Sequence, residues 1–259
     1  MSTDRSRPPP SDGHREGLEA SRARLLRISW MLLFISLSYV IVTAAWITTE
    51  NRSLLPVMEL LTIWSAVAVL LFMIEIHRGA VDAHRSGSLA ALLLSAAMAA
   101  VTICNHFLYL TVLPQLYPGT TMPVWLLLDG WPSITKGLEC VAWALLLGLA
   151  MFFAATPARP LGRPVEWTLR ISGGFALVGL IGPVTGNMNL YLLSTAGYSL
   201  GFLLLAIEVI VHFRIHPMGE LPLRTPPLPA LMLSQSGDGH NSSGDLLLES
   251  TVRRPSELT

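Results

Sequence analysis

Six long apolar runs, each 18 to 25 residues, constrain this chain more than any other feature. They are Ile28–Ile47, Met58–Ile76, Leu89–Leu113, Ile134–Ala154, Trp167–Val184 and Leu190–Phe213. About 20 apolar residues form a helix long enough to cross a bilayer. Hydrocarbon offers no hydrogen-bond partners, so a spanning segment must satisfy its own backbone, either as a helix or as a strand of a closed barrel. Barrel strands alternate polar and apolar residues over about 10 positions. The runs here are longer and almost continuously apolar, so the predicted fold is all-α: an integral membrane bundle of six transmembrane helices. The predicted organisation is a polar, disordered segment over residues 1–24, a transmembrane domain over 25–216 and a disordered tail over 217–259. The fifth run holds Gly173, Gly174, Gly179 and Gly182 and meets Pro183, which predicts a short or kinked helix.

Composition supports this reading. Only 13% of the residues are charged and 52% are hydrophobic, and the mean hydropathy is +0.54. A soluble domain carries about 25% charged residues, so a soluble enzyme is disfavoured. The formal net charge is zero, without the basic surplus that nucleic-acid binding needs. The expected partner is the lipid bilayer.

Basic residues divide unevenly between the connecting segments. Thirteen flank one set of helix ends: six between Arg5 and Arg27, then Arg78, Arg85, Arg159, Arg163, Arg170, Arg214 and Arg224. The opposite ends carry only Arg52 and Lys136. Lysine and arginine collect on the cytoplasmic side, so both termini are predicted to be cytoplasmic, with no cleavable leader ahead of the first helix. Sixteen of the 17 basic residues are Arg, a bias of GC-rich genomes, and the expected location is the plasma membrane of a bacterium.

Ionisable residues inside a span are costly and usually face the bundle interior. Of the 34 charged residues, six lie within the runs: Glu59, Glu75, Lys136, Glu139, Arg170 and Glu208. Thr102, Asn105, His106 and Tyr109 fall at i, i+3, i+4 and i+7 of the third helix, hence on one face. Lys136, Glu139, Cys140 and Trp143 repeat the spacing on the fourth. Consecutive helices usually pack side by side, so the two stripes are expected to face each other in the outer half of the bilayer. Polar residues of the first, second and sixth helices (Tyr39 and Thr43; Glu59 and Thr62; Tyr191 and Tyr198) lean to the same half, above aliphatic stretches such as Ala144–Leu149. The pattern predicts an outward-facing polar pocket between the third, fourth and sixth helices. Its expected ligand-binding residues are Asn105, His106, Tyr109, Lys136, Glu139 and Tyr198, and its ligand a small polar molecule or a lipid headgroup.

Each feature also has a plain structural role. Lys136 and Glu139 are one turn apart and can neutralise each other. Asn105 and Tyr109 can serve as interhelical hydrogen-bonding groups. Cys104 and Cys140 are expected to be buried, inert thiols. Gly197 and Gly201 permit close helix packing, within the bundle or in a homo-oligomer. The loop Pro114–Ser133, with Tyr117, Trp125 and Trp131, either covers the bundle mouth or rests on the headgroups.

Three functions follow. The leading one is a non-enzymatic sensor or transport-associated protein that binds a ligand in the pocket. A second is a membrane-embedded transferase or hydrolase with Glu139 and His106 as acid and base. The third is a structural subunit. There is no H-E-x-x-H zinc motif and no P-loop, a serine protease is not expected, and no metal or other cofactor is called for.

Overall fold

The computed structural model describes residues 12–118, 122–127 and 131–215. Among them, six helices are long and apolar enough to cross a membrane. They are α1 (Asp12–Thr49), α2 (Leu55–Gly79), α3 (Asp82–Leu116), α4 (Ile134–Ala155), α5 (Arg163–Thr185) and α6 (Met188–Ile215). Each packs against its neighbours in sequence, and α6 returns to pack against α1, so the helices close a ring. Trp64, Leu93, Phe107, Phe153, Ile171 and Leu192 are exposed on its outer surface. An apolar outer surface of this extent suits lipid rather than water.

Residues 12–24 are helical rather than disordered. The helix has 38 residues, about 57 Å at about 1.5 Å per residue, against a hydrocarbon thickness of about 30 Å. Its extra turns are tied to neighbouring helices. Ser21 Oγ donates to Glu75 Oε2 at 3.4 Å and Arg24 Nε to Glu75 Oε1 at 3.1 Å. Arg22 donates to the Phe213 carbonyl and stacks over the Phe213 ring. These bonds reward continued helix where composition alone suggested none. The expected disordered tail, 217–259, lies outside the described residues.

The helix breaks follow from local chemistry. A proline lacks the N–H that would bond four residues back, and its ring crowds that carbonyl. In α3 a wider π-helical segment, Leu108–Val112, precedes Pro114 and accommodates it. In α5 the regular helix ends at Val178, five residues before Pro183, and resumes over Ile181–Thr185, which contains it. Gly186 then adopts φ 74°, the left-handed conformation that glycine tolerates best, and the chain turns into α6. A second π-helical segment, Cys140–Leu146, interrupts α4 immediately after Glu139, with no proline nearby.

Gly197 and Gly201 face α5 within the same chain. A Cβ on Gly197 would lie 2.8 Å from Phe175 Cβ and 2.9 Å from the Ser172 carbonyl oxygen, and one on Gly201 would collide with Ser172. Their role here is assembly of the bundle, and a homo-oligomer using the same face would have to displace α5.

Two halves differ along the bundle axis. Toward the arginine-rich ends, the interior is an apolar core that includes Leu32, Phe72, Met73, Met98, Leu147, Met151, Leu169 and Leu205. Toward the opposite ends, buried polar side chains gather between the helices.

Candidate functional site

The polar half is organised around the first turn of α4. Ser133 caps it: its hydroxyl accepts from the Lys136 backbone N–H at 3.1 Å and donates to the Leu127 carbonyl at 2.6 Å. Thr135 Oγ1 donates to the Leu127 carbonyl at 2.8 Å. Asn105 Nδ2, on α3, donates to the Thr135 carbonyl at 3.1 Å. Asn105 and the described end of the third-to-fourth loop therefore fix the turn from which Lys136 and Glu139 project. Asn105 has the interhelical role, and the loop is an anchor for α4.

The charged residues form two separate pairs. Lys136 Nζ donates to Glu139 Oε2 at 2.8 Å, and the two side chains are 19% and 14% exposed. His106 Nδ1 is bonded to Glu59 Oε2 of α2, and both side chains are almost fully buried. The expected His106–Glu139 acid–base pair is replaced by these two. The reason is the packing of α3: its polar face meets α2 as well as α4. Sequence reading placed Glu59 in the polar half but did not pair it. The signal was available, because α2 and α3 are joined by the short connection between Gly79 and Asp82. Counting from those two residues, Glu59 and His106 lie 20 and 24 positions along their helices, within about one turn of the same depth.

A narrow cleft runs down the ring's interior. It is lined by Ser36 and Tyr39 of α1, Thr62 and Ser65 of α2, Glu139 and Trp143 of α4, and Tyr198 and Ser199 of α6, over an apolar floor of Leu32, Val69 and Phe202. Its interior is small, with about 40 Å³ accessible to water. The Trp143 and Tyr198 rings lie 5.1 Å apart, and Tyr198 Oη donates to Thr195 Oγ1 at 3.3 Å. The Trp143 indole N–H is buried without a hydrogen-bond partner.

The position of this cleft corrects the expected pocket. No α3 residue lines it, and α1 and α2 contribute four of its polar groups. Glu139 and Tyr198 are in it, whereas Asn105 and His106 are engaged beside it. Tyr109 is half-buried in the π-helical segment of α3. A second space, a shallow open basin, lies at the bundle end and is lined by Trp131, Lys136, Gly186, Met188, Tyr191, Leu192 and Thr195. Lys136 borders the basin and Glu139 the cleft, so their ion pair joins the two spaces.

Three smaller findings complete the site. Cys140 is buried as expected, but Cys104 is exposed on the outer surface of α3, and both are free thiols. Residues 197–201 read Gly-Tyr-Ser-Leu-Gly, the spelling G-x-S-x-G. A nucleophile elbow needs that spelling at a sharp strand-to-helix turn. Here Ser199 lies mid-helix, and no histidine or carboxylate bonds its hydroxyl among the described residues. Nor, among the described residues, do three or more His, Cys, Asp or Glu side chains cluster as metal ligands would.

No family model, curated protein or solved structure matches this chain. The functional reading therefore rests on the geometry.

Proposed function

We propose that this multi-pass membrane protein binds a small polar ligand or a lipid headgroup in the polar half of its bundle, acting as a sensor or a transport-associated protein. One observation carries the reading: a cleft with a half-buried carboxylate, two tyrosines and four Ser or Thr hydroxyls sits inside a largely apolar bundle. Polar groups in a membrane interior are costly, and they tend to be retained where they line a path or a site. The unpartnered Trp143 N–H adds a buried donor at the cleft wall. The apolar core below it suits a site reached from one face rather than a continuous pore, which needs polar lining at both depths.

The distribution of arginines supports an orientation with both termini in the cytoplasm and the cleft toward the outer face, and the arginine bias supports a bacterial plasma membrane. A reporter fused after Ser86 should then register the cytoplasm and one fused after Gly119 the outside; the reverse assignment would refute the orientation, and a shared compartment the six-span topology.

Solvent access tests the site itself. In a Cys104→Ser, Cys140→Ala background, Ser65→Cys and Ser199→Cys should react with a small water-soluble methanethiosulfonate reagent. Leu147→Cys, in the apolar core, should not. Failure of both cleft positions to react would remove the proposal.

A further inference from the structure

The Lys136–Glu139 pair differs from the other ion pairs of the bundle in what surrounds it. Glu75 and Glu166 sit at the arginine-rich ends, each beside arginines that are 40% or more exposed. Lys136 and Glu139 are both largely buried, and each opens onto a different space, the basin for Lys136 and the cleft for Glu139. We infer that this site takes a zwitterion: a compact molecule with one ammonium and one carboxylate or phosphate, either a free solute or the headgroup of a zwitterionic lipid. The inference rests on the reading of the cleft as a ligand site and narrows its ligand to one chemical class.

Charge balance is the first argument. A ligand with a single charge could replace only one member of the pair and would leave the other buried without a partner. An uncompensated buried charge is far costlier than an intact pair. A zwitterion exchanges one internal ion pair for two external ones, and nothing is left unpaired. The second argument is what stands beside each charge. Glu139 shares the cleft with the rings of Tyr39, Trp143 and Tyr198. A carboxylate together with aromatic faces is the usual way proteins hold an alkylammonium group. Lys136 shares the basin with the side chains of Tyr191 and Thr195. An ammonium with hydroxyl donors suits a carboxylate or phosphate.

The third argument is the pair's present geometry. Lys136 Nζ lies 5.1 Å from the centre of the Tyr191 ring while bonded to Glu139. The lysine thus already has a second favourable contact on the basin side, and Tyr191 can hold it there once a ligand's ammonium takes over Glu139.

The experiment uses the full chain purified in detergent and carrying the Ser199→Cys reporter. Glycine betaine, tetramethylammonium and acetate are the soluble probes. For the lipid source, protein reconstituted in phosphatidylethanolamine or phosphatidylglycerol vesicles is examined by native mass spectrometry. If the source is a free solute, glycine betaine should protect Ser199→Cys from the thiol reagent in a saturable way, at least tenfold more strongly than either single-charge probe. If the source is a lipid, one phosphatidylethanolamine should be retained at least tenfold more often than phosphatidylglycerol.

Single substitutions of Lys136 or Glu139 strand a charge and endanger folding. The decisive variants are therefore the neutral pair Lys136→Met with Glu139→Gln, and the swapped pair Lys136→Glu with Glu139→Lys. Both leave charge balanced, and each should lose at least tenfold in the preferred probe's binding. Equal binding of tetramethylammonium and glycine betaine, full binding by the swapped pair, or no zwitterion bound in either arm would overturn the inference. If Ser199→Cys is reached by the reagent but glycine betaine does not protect it and phosphatidylethanolamine is not selectively retained, this inference fails while the open cleft stands. If the reagent never reaches it, both fall.

Discussion

Helix α2 carries two buried glutamates in opposite surroundings. Glu75, near its arginine-rich end, is 5% exposed and bonded to Arg24 and Arg78, whose side chains are 41% and 57% exposed. Glu59, toward the other end, is equally buried, but its partner His106 is only 3% exposed. The arginines have a way back to water and the histidine has none. The same residue type on the same helix therefore acts as a rim clamp in one half and as part of an enclosed polar network in the other. The apolar half is built for cohesion, and the polar half maintains groups whose contribution to cohesion is small.

The largest expected effect lies in the apolar half. Phe72 is completely buried in the main core. Phe72→Ala should lower unfolding stability in detergent by about 3–5 kcal/mol, the range for deleting a buried aromatic side chain. A loss below about 1 kcal/mol would mean that this half is not the packed core described here.

The next test addresses the enclosed pair. Glu59→Leu leaves His106 buried without its carboxylate and should cost about 2–3 kcal/mol, between an orphaned polar group and an orphaned charge. Adding His106→Leu removes the orphan. The double variant should return to within about 1 kcal/mol of the parent, because buried ion pairs replaced by apolar residues are often neutral or stabilising. A double variant less stable than either single one would show that the pair is kept for stability, and the contrast between the halves would collapse.

How far these halves could be read from sequence depends on what each feature rests on. The six spans were legible because apolar length alone decides them. The polar half was legible for the same kind of reason, since Glu59, Lys136, Glu139 and His106 stand out against hydrocarbon. Partner choice was not. Spacing at i, i+3 and i+4 identifies a face but not which neighbour it meets, and His106 turned to Glu59. Tyr39 was legible as a member of the polar half, but Ser36 and the place of α1 in the cleft wall were not, because they follow from ring closure between α6 and α1, a contact between the chain's most distant helices. The π-helical segment after Glu139 has no proline or glycine to announce it. In the extension of α1, the turn at Ser21–Arg24 is held by tertiary bonds to Glu75 and Phe213 that no local pattern contains.

A smaller effect is expected at the rim. Glu75→Gln removes a carboxylate whose two arginine partners can turn into water. Stability should fall by about 1 kcal/mol or less, as for ion pairs with solvent-accessible partners. Thermal unfolding of Glu75→Gln beside Glu59→Leu measures the contrast directly. Equal losses at the two positions would mean that partner exposure does not govern the cost.

The smallest stability effect should come from Tyr198→Phe. The substitution keeps the ring against Trp143, at a centroid separation of 5.1 Å, and removes only the hydroxyl. That hydroxyl donates at 3.3 Å to Thr195, three residues earlier on the same helix, so it ties no two helices together. Even interhelical hydrogen bonds in membranes average about 0.6 kcal/mol, and Tyr198→Phe should lose no more than that. Tyr198 lines the cleft, so ligand protection of Ser199→Cys should weaken severalfold while the unfolding midpoint barely moves. A variant that unfolds early and still protects its cysteine would assign Tyr198 to cohesion and erase the division between the two halves at the point where they meet.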